Sequence, residues 1–260
     1  MVSERDGVRS RACGSRVLAG VAVLLAVAFV VAPVGLAGGG HGGGFFGSAD
    51  LSSSVADDFV AFWRSGGQAL PAGMNDLVRY WLRYHVAKAA LAALLSIVLA
   101  ALATRLWRRR SAGVAAATAT VGAFGAALLL MANVQGAVAP LSSVLTLLPS
   151  AADDPAVGLV KAQVVQQLQA RGTPRPALAH LISDFGTYHA VLAVSAVVLA
   201  CVTLVVSVVA GRSFMTTARR TMGLTSAVFA IVGICVFILA AANIGSAIDP
   251  ADALLLFYAE

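Results

Sequence analysis

Four side chains in this sequence have the types and spacing to do chemistry at a membrane: His85 and His189, each preceded by a tyrosine, and Asn133 and Asn243. Leu77-Val78 through Tyr84-His85 is echoed a little over a hundred residues later by Leu181-Ile182 through Tyr188-His189. Ala132-Asn133-Val134, followed after two residues by Ala137-Val138-Ala139-Pro140, returns as Ala242-Asn243-Ile244, followed after two residues by Ala247-Ile248-Asp249-Pro250. Imidazole and carboxamide groups buried in a low-dielectric setting need hydrogen-bond partners, and each can supply the other. We therefore expect Tyr84, His85 and Asn133, joined by Gln135, to form one polar cluster, and Tyr188, His189 and Asn243 a second. Each would be a clamp fixing the register of two helices. The alternative for the same groups is a ligand site, because two histidines at matching height could hold a metal ion, a haem iron or a polar headgroup. The sequence has no Cys-x-x-Cys-His, no His-x-x-x-His pair and no carboxylate at helical ligand spacing beside these histidines, so no metal and no cofactor is assigned.

Each echo lies at the edge of a long apolar run, and these runs decide the class of protein. Apolar residues make up 59% of the chain and charged residues 12%, which excludes an ordinary soluble domain. Five blocks are long enough to cross about 30 Å of hydrocarbon at about 1.5 Å per residue. They run approximately over residues 17–36, 86–106, 113–136, 190–210 and 222–246. Arginines precede the first block, and Gly35 and Ala37 follow its core in a passable signal-peptidase pattern. Its apolar core is long for a cleaved leader, so we read it as a retained anchor.

Positive residues beside short loops mark the cytoplasmic side. The N-terminal arginines, Arg105 with Arg108-Arg109-Arg110, and Arg212 with Arg219 and Arg220 all fall on one side if five helices alternate. Nearly all the acids fall on the other. The N-terminus is thus expected inside and the C-terminus outside. The net charge of +6 is mainly topological, and no nucleic-acid partner is expected. Trp81, Tyr84, Phe185 and Tyr188 would lie at the outer boundary, with Trp107 and Phe214 at the inner one. Scarce lysine beside abundant arginine, alanine, valine and glycine suggests a GC-rich bacterial coding sequence. Cys13 would be cytoplasmic, while Cys201 and Cys235 fall inside spans and read as small packing residues.

Outside the spans, Gly38 to Gly44, interrupted only by His41, is too glycine-rich for a regular helix and reads as a tether. Ser52, Ser53 and Ser54 offer helix N-caps, Asp57 and Asp58 a first turn, and Val55, Phe59, Phe62 and Trp63 an apolar face. A second helical stretch, 75–84, feeds into the second span. The later half follows the same plan. Asp153 or Asp154 caps a helix opened by Pro155, with Val157, Val160, Val164 and Leu168 on one face, and 177–188 runs into the fourth span. The expected organisation is an anchor and tether over 1–49, a first hairpin unit over 50–149 and a second over 150–260, related as a parallel repeat. His180 and Asp184, four apart, are expected to pair on the surface.

The interiors of the spans hold no ionisable residue apart from two thiols, and Lys88 is the deepest charge. Ion-coupled transporters usually place acids or histidines there, so transport is disfavoured, although Thr118, Thr120, Ser195 and Thr203 could line a polar path. Gly122 with Ala126 and Ser226 with Ala230 permit close helix packing, expected inside the bundle. No Gly-x-Ser-x-Gly, His-Glu-x-x-His or phosphate loop points to an enzyme. The expectation is an all-α, polytopic membrane helix bundle of five transmembrane helices, one N-terminal anchor and two tandem hairpins, in the bacterial plasma membrane. Its function would be that of a nonenzymatic accessory or scaffold subunit, docking a protein partner or envelope component through extracytoplasmic amphipathic helices lying on or near the membrane surface. The alternative is a small-molecule or ion carrier, or a metal- or haem-binding protein, built on the His/Asn clusters.

Overall fold

The computed structural model describes residues 2–38, 48–109 and 112–259, with side chains described from Gly14 and, in the second helix, from Leu51. The glycine tether around His41 and its neighbours, residues 39–47, lies outside the described residues, as does the side chain of Cys13. The described residues form only helices: α1 (Val2–Ala37), α2 (Ser48–Ser65), α3 (Ala72–Trp107), α4 (Gly113–Val138), α5 (Pro140–Leu145), α6 (Pro155–Gln169), α7 (Pro176–Thr217), α8 (Arg220–Ile248) and α9 (Pro250–Ala259). Five of these, α1 from Gly14, α3, α4, α7 and α8, contain segments long and apolar enough to cross a membrane. The protein is an all-α multi-pass membrane protein. α3 and α7 are longer than their apolar cores, since 75–84 and 177–188 continue into the spans without a break.

Contacts divide the chain into two compact units, each drawn from three separate segments. The span unit comprises Met1–Pro33, Ala87–Ala132 and Ala196–Phe237, and the head unit Val34–Val86, Asn133–Ser195 and Ile238–Glu260.

In the span unit, small residues set the helix spacing. α1 lies on the first hairpin through Ala22 against Leu95 and Ala126, and Arg109 Nη2 donates to Ser15 Oγ at 3.2 Å. A Cβ at Gly122 would come within 3.3 Å of Leu99, and one at Gly233 within 3.0 Å of the Leu204 and Thr203 side chains, so both glycines mark close helix approaches. In the second hairpin Ser207 Oγ donates to the Ser226 carbonyl at 2.8 Å and Ser226 Oγ to the Ser207 carbonyl at 2.9 Å. This reciprocal pair binds α7 to α8. The turn between them is closed by Ala218 at φ 53°, a left-handed position without the usual glycine. Lys88 is held over the Phe29 ring at 4.6 Å, a cation–π contact within the unit. Cys201 and Cys235 correct the sequence reading. Both thiols are free and exposed on the helix surfaces, because the inward positions are taken by Ala196, Ala200 and Thr203 on α7 and by Val236 on α8.

The head unit has the larger core. α2 contributes Val55, Phe59, Phe62 and Trp63, α3 Met74 and Leu77, and α5 Leu141, Val144 and Leu145. α6 adds Val157, Val160 and Val164, α7 adds Leu178 and Leu181, and α9 adds Leu254 and Tyr258. Phe59 and Phe62 are completely buried, each contributing about 1.5–3 kcal/mol by leaving water. The apolar faces of α2 and α6, helices expected on or near the membrane surface, are thus spent on this core. α2 also starts a turn earlier than its serines suggest, so Ser52 is no N-cap and its Oγ donates to the Leu147 carbonyl at 2.9 Å. Trp63 Nε1 donates to Gln163 Oε1 at 2.7 Å and ties α2 to α6. α6 opens with Asp154 as N-cap, whose carboxylate accepts from the amides of Ala156 and Val157 at 2.9 and 3.1 Å, with Pro155 in the first turn.

The N-termini of α5 and α9 are capped in two different ways. At α9, Asp249 precedes Pro250 and its Oδ1 accepts from the Asp252 amide at 3.2 Å. At α5 the preceding residue is Ala139, which has no acceptor, and Asp184 of α7 supplies the carboxylate, accepting from the Ser142 amide at 2.7 Å. Asp184 therefore does not pair with His180, whose ring packs edge-on against Phe62 with centroids 6.1 Å apart. Asp184→Ala should cost about 1 kcal/mol of stability, the usual worth of a lost cap. Ala139→Asp, placing an acceptor where α9 has its own, should recover most of it. Thermal unfolding of the single and double variants in detergent checks both, and equal melting of Asp184→Ala with and without Ala139→Asp would show that the loss lies elsewhere.

The Asp58 carboxyl sits against the first turn of α3, where a Cβ on residue 73 would collide with it, so Gly73 makes the approach possible. Desolvation raises its pKa, and the Asp57 and Asp76 carboxylates push the same way. With the folded value above the unfolded one, the native state holds the proton more tightly. Its stabilising share is complete below the unfolded pKa and is lost as pH rises through the folded one. Asp58→Asn is expected to flatten that part of the decline in melting temperature between acidic and neutral pH, and an unchanged pH profile would assign it to other groups.

Candidate functional site

The head unit brings the histidines and asparagines together in pairs. α3 carries His85 and α4 carries Asn133, and His85 Nδ1 lies 3.0 Å from Asn133 Oδ1. α7 carries His189 and α8 carries Asn243, and His189 Nδ1 lies 2.7 Å from Asn243 Oδ1. Both asparagines are buried. In the second pair the amide orientation is fixed from behind, because Asn243 Nδ2 donates to the Leu239 carbonyl one turn back at 2.8 Å. Its Oδ1 is therefore the acceptor, His189 carries its proton on Nδ1, and Nε2 keeps the lone pair.

Aromatic side chains one helical turn before each histidine hold the rings in place. Trp81 meets His85 edge-on with centroids 4.9 Å apart, and Phe185 meets His189 at 4.5 Å. Tyr84 lies edge-on to His85 and Tyr188 to His189, both at 5.5 Å. Trp81 is itself anchored, donating from Nε1 to Ser143 Oγ at 2.9 Å. The other face of His85 lies on the backbone at Gly136, where a Cβ would be 2.8 Å from three ring atoms. Gly136 is a member of this site that residue-type reasoning overlooked, although its place three residues after Asn133, on the same helix face, was a usable signal. Gln135 is buried, and its Nε2 donates to the Tyr188 carbonyl at 3.2 Å, so it bridges the two halves of the sequence and joins neither histidine.

Chemically, the arrangement is a pair of interhelical hydrogen bonds, the second of them with its tautomer set by the Asn243 amide. Among the described residues no three His, Cys, Asp or Glu side chains come close enough together to hold a metal ion. The hydroxyls considered for a polar path are used locally. Thr118 Oγ1 donates to the Val114 carbonyl, Thr120 Oγ1 to Ala116, and Thr203 Oγ1 to both Leu199 and Ala200, all at 2.8–3.1 Å. Ser195 belongs to the head unit and is half-buried there.

A double-mutant cycle on His189→Ala and Asn243→Ala should give a coupling energy of about 0.6–1.7 kcal/mol, the range of interhelical hydrogen bonds in membrane proteins. Gly136→Ala should destabilise the first pair by displacing the His85 ring, and it should have little further effect in a His85→Ala background. Additive melting shifts in either experiment would show that these side chains do not act together.

No protein-family model matches the chain, and no curated protein and no solved structure is similar to it at a significant level.

Proposed function

We propose that the protein is a nonenzymatic accessory or scaffold subunit of the bacterial plasma membrane, with its N-terminus cytoplasmic and its head unit extracytoplasmic, and that it docks a protein partner through the head. The observation that carries this reading is the outward face of α6. Pro155, Leu159, Ala162, Gln163, Gln166 and Gln169 are exposed on it, and none is charged. Leu159 is 67% exposed between buried Val157 and Val160. A solvated helix face ordinarily carries Lys, Glu or Arg, and depletion of charge around an exposed apolar side chain is the compositional mark of a protein contact.

The reading of two tandem hairpin copies supports a mechanical role. The sequence aligns His85 with His189 and Asn133 with Asn243, and each histidine meets its own asparagine through the same atoms. Such catches hold helix register, as a scaffold requires. A photo-crosslinking residue at Gln166 should capture a discrete envelope or membrane protein in native membranes. Leu159→Arg should cut that capture about tenfold, corresponding to about 1.4 kcal/mol, with no change in melting temperature because the side chain is outside the core. Capture unaffected by Leu159→Arg would remove α6 as the docking face.

A further inference from the structure

A cavity of about 580 Å³ lies within the span unit, walled by α3 and α4 on one side and by α7 and α8 on the other. Its walls are made of Ala100, Ala103, Ala127, Val202, Val206 and their apolar neighbours. Apart from Ser213, the polar side chains among them are already committed. Thr104 Oγ1 donates to the Ala101 carbonyl at 2.9 Å, Thr225 Oγ1 to Thr221 at 2.8 Å and Ser96 Oγ to Ala123 at 3.1 Å. Trp107 Nε1 donates to Thr120 Oγ1 at 3.0 Å. What remains is an apolar slot with one cation on its rim, Arg108. Phe124 and Phe229, edge-on with centroids 5.9 Å apart, line it and join the two hairpins.

Two features specify the occupant. The slot follows α3 from Ser96 to Arg108, about 18 Å of helix rise, which matches the roughly 15 Å depth of one hydrocarbon leaflet. The charge balance is one-sided as well. Arg16, Lys88, Arg105, Arg108, Arg109, Arg212, Arg219 and Arg220 all belong to the span unit, and among its described side chains there is no carboxylate. The exposed guanidinium of Arg108 at the rim complements an anionic group, and a molecule that carries one on a long apolar body would fit both the rim and the slot. We propose that the slot binds one anionic phospholipid, with an acyl chain between the hairpins and the phosphate at Arg108. The volume falls in the range of about 300–1,000 Å³ typical of single-ligand sites. This inference is independent of the docking role assigned to α6.

Native mass spectrometry of the full chain in mild detergent, titrated with phosphatidylglycerol or phosphatidylcholine, tests it. One phosphatidylglycerol should be retained per chain at least fivefold more strongly than phosphatidylcholine. Arg108→Ala should reduce that preference to near parity while Arg108→Lys restores part of it. Val206→Phe, which fills the slot, should abolish stoichiometric retention, and Arg220→Ala, away from the lining, should change little. Thermal melting distinguishes loss of lipid from loss of fold, and a folded Val206→Phe that retains the lipid as well as the parent chain overturns the proposal. Equal retention of the two lipids by the parent chain does so too, as does an Arg108→Ala variant indistinguishable from it. A photo-crosslinker at Val206 that captures a polypeptide from native membranes in place of lipid has the same force.

Discussion

A polar group withdrawn from water must find a partner inside the protein, and that requirement organises both units. In the span unit the hydroxyls of Thr118, Thr120, Thr203 and Thr225 donate to their own helices, leaving surfaces that behave as apolar. Where a hydroxyl reaches a neighbouring helix, as in the Ser207–Ser226 exchange, it does so reciprocally and draws the backbones together. In the head unit the same rule is met by side chains pairing across helices. Asn243 shows how economically this is done, since its amide nitrogen is satisfied by its own helix and its oxygen is left to orient His189.

The features written as local pattern were legible in the sequence. The five spans follow from apolar runs too long for a core helix, and the α6 start follows from Asp154 and Pro155, which act on amides two and three residues away. The histidine–asparagine pairs were legible because two echoes at matched spacing brought the same residue types to the same helix ends. Features set by distant partners were not legible. Asp184 looked like half of a local pair with His180, yet its partner is the Ser142 amide, 42 positions away, and nothing near Asp184 signals that Ala139 leaves α5 uncapped. The apolar faces of α2 and α6 were legible as amphipathic helices, and what they meet, a shared core in place of a position on or near the membrane surface, was not. A single helix cannot state which surface it will meet, and here the answer depended on α5, α7 and α9. Cys201 and Cys235 failed for a related reason, because in a span every face is apolar and hydropathy does not distinguish inside from lipid-facing.

The two units differ in how they resist change. The span unit is held by small residues at close helix approaches, so enlarging Gly122, Gly233 or Ser226 acts by steric separation. The head unit is held by large side chains, so truncating Phe59, Phe62 or Tyr258 acts by leaving a void, at about 3–5 kcal/mol for a fully buried aromatic. Charge is distributed to suit. Acids gather in the head unit, where they cap helices, and the Asp57, Asp58 and Asp76 group shows the cost of placing several together, as Asp58 is pushed toward its neutral form.

The Tyr258 ring stacks on Phe59, with centroids 6.3 Å apart and planes 17° from parallel, and burial drives its hydroxyl pKa upward. These two rings come from α2 and α9, the first and last helices of the head core, with four spans threaded between them. During synthesis Phe59 therefore gains this last ring partner only after the four spans between α2 and α9 have been made. Until α9 arrives, a nascent chain presents a greasy, half-built surface to chaperones and proteases. Closure of this one aromatic stack thus reports that four intervening spans have been made and brought into register.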